Sequence, residues 1–229
     1  MMENTKELTK TTGMKMKDIA TKNGIDPELI ALESFNKRLN VPPPKTDIQE
    51  NKDKSKYLPI SFVQMTLDEM FFGLWETVNY REKLIANELV GSIELRVFHP
   101  VIKQWITKTG VAATPVRLKA GSKVMDAENK IYNALTQDAP HLLSDCIKNA
   151  AKQLGKRFGR DLNRSFEDSY SAMVTPIAET LLLLETVKEE CEKCTTKEQL
   201  TAIYNANPGW QANQKAMNLF NEYKLKLSK

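Results

Sequence analysis

The feature that most constrains this chain is a change in the period of its apolar residues. Ile93, Leu95 and Val97 alternate with Glu94, Arg96 and Phe98, the period of two expected of a strand with one buried face. β-Branched and aromatic residues continue through Trp105, Ile106, Thr107 and Thr109. Further on, Leu143, Ile147, Ala150, Leu154 and Phe158 recur at helical spacing. A one-faced sheet followed by a one-striped helix closes most simply when the helix lies on the sheet. The pattern predicts an α+β fold with a β-β-β-α core, an antiparallel three-stranded sheet packed on a long helix. The strands are expected near Trp75–Ile85, Glu88–Phe98 and Gln104–Val116, with turns at about Asn87 and at His99–Lys103, and the helix over 141–164.

Three regions follow from the punctuation. Residues 1–56 read as a mostly flexible N-terminal segment and linker. They hold one short helix over Pro27–Leu39, with Asp26 as N-cap and Pro27 at its first position. Val41–Lys56 joins three prolines to charged and polar residues, and buries too little to offset ordering. Residues 57–164 are expected to form the β-β-β-α core. It opens with a helix capped by Ser61, bearing Phe62, Met65, Leu67, Met70 and Phe71 and ending at Gly73. The stretch from Leu118 to Pro140 is a polar connection punctuated by Gly121 and Pro140. Residues 165–229 form a helical C-terminal accessory region, with helices over Thr175–Cys194, Lys197–Asn205 and Gln211–Leu227.

Composition removes several classes of function. No apolar run approaches the roughly 20 residues of a membrane helix, and no secretory h-region is visible, so a cytoplasmic protein with no membrane contact is expected. Three cysteines, Cys146, Cys191 and Cys194, suit a reducing compartment, and Cys191 and Cys194 lack the partners of a zinc site. No G-x-x-x-x-G-K-[ST] loop occurs, so no nucleotide cofactor is expected. Glu82, Glu88, Glu94, Asp126 and Asp145 form no recognisable metal motif. Catalytic residues, metals and cofactors are therefore all expected to be absent.

A formal charge of +4, from 33 Lys and Arg against 29 Asp and Glu, does not identify a partner until its distribution is considered. On the 141–164 segment Lys148, Lys152, Lys156, Arg160 and Arg164 recur every four residues, with Arg157 beside them. Like charges at this spacing weaken an isolated helix by a few tenths of a kcal/mol per pair, so an anion would complete the row. The bland alternative is a solvated basic face. Against it stand the small apolar residues opposite (Ala150, Ala151, Gly155, Gly159) and the further cations Arg96, Lys103, Lys108, Arg117, Lys119, Lys123 and Lys130. A groove lined this way would follow a phosphate backbone. Trp75, Trp105 and Tyr80 could stack on bases or serve the core.

Several ordered segments resemble the Rad fifty-two type of single-strand annealing proteins, with their phage Sak and Erf relatives. They are Tyr57, the helix ending Asp68-Glu69-Met70-Phe71-Phe72-Gly73 before Trp75, the segment Leu89 to Val97, Thr109-Gly110, and Ala151 to Gly159. The resemblance covers about residues 57–164. It implies a β-β-β-α unit assembling as a homo-oligomer, a ring or helical filament, with single-stranded DNA in a groove of basic helix and hairpin residues. By position Lys152 and Lys156 correspond to two basic helix residues of the family. A third falls on Gln153, for which Arg157 or Lys148 would substitute. Lys119 and Lys123 are the candidates for a second, duplex-binding site.

The expected function is ATP-independent binding and annealing of single-stranded DNA for homologous recombination, through an annealed duplex intermediate. The expected DNA-binding residues are Lys148, Lys152, Lys156, Arg157, Arg160, Arg164, Arg96, Lys103, Lys108, Lys119 and Lys123. The setting would be a bacterial or phage-infected cell, with a single-strand binding protein or exonuclease as possible partner. The C-terminal helices would dock that partner, regulate assembly, or simply pack on the core. Two other readings stay open: a passive nucleic-acid-binding scaffold, including one for RNA, and a metal-dependent nuclease.

Overall fold

The computed structural model describes residues 16–122, 128–166 and 168–228. In chain order the elements are a helical segment at 16–22, α1 (Pro27–Leu39), β1 (Gln49–Glu50), β2 (Lys56–Tyr57), α2 (Ile60–Phe71), β3 (Trp75–Ile85), β4 (Glu88–His99), β5 (Gln104–Pro115), α3 (Ala134–Lys152), α4 (Thr175–Glu192), α5 (Lys197–Ala206), a single turn at Pro208–Gln211, and α6 (Gln214–Lys226). The chain divides into two units, Phe35–Tyr170 and Met1–Ser34 with Ser171–Lys229.

In the Phe35–Tyr170 unit, the α+β fold has an antiparallel sheet in the order β3-β4-β5, with α3 packed on β4 and β5. The registers Trp75↔Val97 and Val97↔Ile106 place one residue from each strand side by side. Leu89, Gly91, Ile93, Leu95, Val97 and His99 of β4 are buried, and the residues that alternate with them are not, so the period of two is a period of burial. The helix lies unusually close at two points. A Cβ on Gly110 would collide with the carbonyl of Cys146, and one on Gly91 would stand 2.9 Å from Leu142 Cδ2. α3 also seals the outer edge of β5, because Asn149 Nδ2 donates to Val111 O (2.9 Å) and Gln153 Nε2 to Thr109 O (2.5 Å). Both carbonyls of an edge strand are thereby satisfied without a further strand.

α2 buries Val63, Thr66, Leu67, Met70 and Phe71, a stripe at three- and four-residue spacing. Pro59, not Ser61, stands at its N-cap, and no side chain caps it. Its other end turns through Phe72 (φ 58°) and Gly73 (φ 71°). This left-handed pair throws Phe72 and Leu74 outward before β3 begins. Met65, counted in the apolar series from sequence, is 69% exposed.

Three expectations change at the level of elements. The helix expected over 141–164 begins at Ala134, with Pro140 inside it, and ends at Lys152. The reason for the early stop is Gly155, whose Cβ-less Cα backs onto the carbonyl of Leu39, with Gly159 in the left-handed region at φ 83°. A 3-10 turn at Lys156–Phe158 lies between them. The segment Val41–Lys56, expected as a linker, forms a 3-10 turn at Lys45–Asp47 and the β1-β2 hairpin. Its tip is closed by Asp53 Oδ1, which accepts from the amide (3.0 Å) and hydroxyl (2.6 Å) of Ser55. Its base is held by Asn163, which accepts from Lys56 N and donates to Lys56 O, both at 2.7 Å. Finally, the core starts before Tyr57, for Phe35 and Leu39 belong to its hydrophobic cluster.

In the other unit, Val187, Cys191, Cys194, Leu200, Trp210, Ala216 and Phe220 form a separate cluster. Thr196 and Asn213 cap α5 and α6. The start of α4 is capped from far away in sequence. The Glu33 carboxylate accepts from the amides of Met173, Val174 and Thr175 and from the Thr175 hydroxyl, at 2.7 to 3.0 Å. Burial alone would raise the pKa of Glu33, but these four donors outweigh it and hold the group down at about 2.

Candidate nucleic-acid interface

A helix ending at Lys152 cannot carry an inclined row of five cations. Only Lys148 and Lys152 of the row lie on α3, and the others are engaged in the turns beyond it. Lys156 is 13% exposed and stands 3.6 Å from Asp161, itself only 6% exposed. Arg164 lies 3.1 Å from Asp161 and 3.2 Å from Asp168. Arg160 donates to the carbonyls of Lys152 (3.1 Å) and Gln153 (2.6 Å), closing the C-terminal end of α3 where its dipole favours a cation. Arg157 stands 4.0 Å from Glu69. The row expected from sequence is therefore corrected: most of its charges serve local structure or are matched by carboxylates.

The remaining expected cations are dispersed. Arg96 lies on the sheet face turned away from α3, paired with Glu76 at 2.6 Å and placed over the Trp105 ring at 5.1 Å. Lys108, opposite Leu95, is on the helix-bearing face, and Lys103 occupies the β4-β5 turn. The main-chain amide of Lys119 donates to the carbonyl of Asn129, which sets that residue in the connection away from α3, and Lys123 lies outside the described residues. Arg117 pairs with the buried carboxylate of Asp138 at 2.8 Å. Of the three aromatics, Trp75 donates its indole N–H to Asp68 at 2.6 Å and packs on the core, Tyr80 donates to Glu82, and Trp105 is half exposed beside Arg96.

What the fold does assemble is a cleft of about 630 Å³ between α3, the 112–113 stretch of β5 and the β1-β2 hairpin. Lys56, Lys148 and Lys152 line it, against one carboxylate, Asp145. Asn51, Ser55, Asn149, Asn163 and His141 supply neutral polar groups. Lys148 is paired with Asp145 at 2.5 Å and stands 5.8 Å from the centre of the Tyr57 ring. Lys152 donates to Asn149 Oδ1 at 3.0 Å. Desolvation by the cleft walls, and next the charge of Lys148, lower the pKa of Lys152, with Asp145 opposing. The two lysines thus repel one another in a confined space, which is the electrostatic condition an entering anion relieves.

A second cavity of about 670 Å³ shares Lys56, Gly159 and Leu162 with the first, so the two adjoin across these residues. Lys45, Lys156 and Arg164 add charge there, against Glu50 and Asp161. The contribution of Lys45 and Lys56 was not foreseen from sequence, since both sit in the segment expected as linker. The sequence does carry one trace of it: Lys56 directly precedes Tyr57, where the fold was expected to resume. Among the described residues no three His, Cys, Asp or Glu side chains gather closely enough to hold a metal ion, and no helix is long and apolar enough to cross a membrane. Comparison with known protein families and with curated proteins finds no match to this chain.

Proposed function

We propose that this chain binds single-stranded DNA and anneals complementary strands without ATP, in support of homologous recombination. The observation that carries the reading is the cleft in which Lys56, Lys148 and Lys152 face one carboxylate beside a helix laid on a three-stranded sheet. Its footing is not the five-cation row, which the early end of α3 dismantles, but these three lysines and the second cavity that adjoins theirs at Lys56. The ordered resemblance to the Rad fifty-two type supports the same reading, since it spans this unit.

Phosphates are the natural occupants. An ammonium on a flexible stem suits a point contact to a phosphate oxygen, and the neutral Asn and Ser groups can donate to others. Holding backbones by their phosphates leaves base edges available to a complementary strand, and raising the local concentration of strands is then enough to hasten pairing. Assembly into a ring or filament would extend the groove from subunit to subunit. The outer edge of β3 and the exposed Leu84 and Ile85 at the β3-β4 hairpin support such assembly.

Annealing of labelled complementary oligonucleotides, followed by fluorescence without nucleotide at low salt, tests the reading. Acceleration by purified protein is expected. Binding without acceleration would leave a passive scaffold, tighter binding of RNA would redirect the partner, and no binding at low salt would refute it.

A further inference from the structure

We infer that Lys152 is a nucleophile, and that the cleft captures and cuts single strands at an abasic sugar through an imine on this residue. The inference rests on the strand-binding reading for its substrate and goes beyond it by assigning a reaction. Asp145, Lys148 and Lys152 follow one another at helical spacing, so they form one stripe on α3, and all three line the cleft. Within that stripe the two lysines are held differently. Lys148 is paired with Asp145 at 2.5 Å and stands 5.8 Å from the centre of the Tyr57 ring. Lys152, one turn on, has a neutral amide oxygen as its hydrogen-bond partner, Asn149 Oδ1 at 3.0 Å. The carbonyls at this end of α3, which would otherwise steady an ammonium, are occupied by Arg160. A lysine beside another cation in a walled cleft is the setting in which an amine becomes available as a nucleophile. Desolvation by the walls, then the charge of Lys148, holds Lys152 below the ordinary lysine value, while Asp145 opposes them. His141, Lys56 and Tyr57 are the other titratable groups that line the cleft. The residue is nonetheless exposed enough for a substrate to reach it.

An amine of this kind calls for an aldehyde, and a strand held by its phosphates offers one wherever a base has been lost, because the ring-opened deoxyribose carries an aldehyde at C1′. Lys152 Nζ bonds to C1′, and the aldehyde oxygen leaves as water, which gives a protonated imine. The imine draws electrons from the neighbouring C2′–H bond. That proton passes to the water of the open cleft, the electron pair forms the C2′=C3′ bond, and the C3′–O bond breaks. The 3′ phosphate departs as the 5′ end of the downstream piece. Lys148 and Lys56 stand in the same cleft for the phosphates on either side of the sugar. Water then hydrolyses the imine and returns Lys152 as the free amine. The water released at the first step is consumed at the last, so the sequence balances without an oxidant or a reductant.

The test uses the full chain, in EDTA, with two probes. One is a labelled homothymidine strand with a single central abasic sugar, and the other is deoxyribose 5-phosphate. Each is incubated with borohydride, which reduces an imine to a stable amine, and binding of the strand is read separately by anisotropy. A covalent adduct is expected with both probes, and peptide mass mapping should place most of it on Lys152, ahead of Lys56 and Lys148. Without borohydride the strand should be cut on the 3′ side of the abasic sugar. Lys152→Arg keeps a cation but removes the nucleophile, and should abolish the adduct per bound strand. The trapping rate should rise with pH about a midpoint below the 10.5 of an ordinary lysine, and Lys148→Gln should move that midpoint upward. A bound strand whose adduct is spread evenly over the lysines, or survives Lys152→Arg, would overturn the inference and leave the strand-binding reading standing. An adduct of deoxyribose phosphate at Lys152 without any strand binding would defeat that reading and keep the nucleophile, with a free sugar phosphate as its substrate. Cutting that appears only when a divalent metal ion replaces EDTA, with no adduct, would overturn the inference in favour of a metal-dependent nuclease.

Discussion

Replacing Lys152 by Gln offers the sharpest test of the cleft, because the structure fixes how large the effect should be. Lys152 lies on the regular part of α3 and has no carboxylate among its hydrogen-bond and ion-pair contacts, whereas Lys148 is paired with Asp145 at 2.5 Å. If Lys152 neutralises one phosphate of a single strand, its loss lowers the slope of log K against log salt by about 0.7. At roughly 0.1 M salt, one decade below the 1 M reference, the same 0.7 is a weakening of about fivefold. Adding Lys148→Gln should bring the total to between about fivefold and about 25-fold, short of the full second step, since Asp145 already cancels part of that charge. Asp145→Asn should act in the opposite sense. Anisotropy of a short labelled homothymidine strand, titrated at several salt concentrations, reads both slope and affinity. Arg160→Gln is the control, for that side chain faces carbonyls of its own chain. An unchanged slope in Lys152→Gln, or an equal drop in Arg160→Gln, would refute the assignment of the cleft.

Arg160→Gln should instead cost about 1 kcal/mol of stability by uncapping α3, seen as a lower denaturant midpoint. Gly110→Ala should destabilise the sheet–helix core by about 1 to 3 kcal/mol or prevent folding, because the new methyl meets the Cys146 carbonyl; a neutral result in thermal melts would contradict the packing. The folded pKa of Glu33, about 2, lies below its ordinary 4.5, so its contribution is complete above about 4.5 and disappears as pH falls toward 2. Helical circular dichroism should show a melting temperature that drops across this window, and Glu33→Gln should flatten the dependence.

The parts of the fold legible in the sequence are those set by local patterns. The three strands appear within a residue or so of their expected places because β4 alternates cleanly and its neighbours are β-branched. The ends of α3 were not legible for a different reason. The stripe Leu143 to Phe158 keeps helical spacing across Gly155, and only the approach of Leu39, a residue distant in sequence, turns that glycine into a stop. The same cause hid the hairpin. Two-residue strands of charged side chains carry no periodic signal, and the bonds that hold them come from Asn163, 107 residues away from Lys56. The candidate site was readable to the same extent. Lys148 and Lys152, on a regular helix, are brought together, while Lys156, Arg160 and Arg164, beyond its end, are drawn into local partnerships that spacing alone does not reveal.

The paired bonds between Asn163 and the main chain of Lys56 set a lower limit on the working fragment. A piece trimmed just after the buried Phe158 would retain every strand of the large sheet, the helix across it and its core, and by spectroscopy would look intact. It would nevertheless lack the side chain that moors the opposite bank of the groove, so Lys56 would be left on a free hairpin and strand affinity should fall with no residue of α3 altered. The groove in this unit is thus closed by a segment that ties Asn163 back to Lys56, and if strand binding depends on it, deletion series should place the boundary after Asn163.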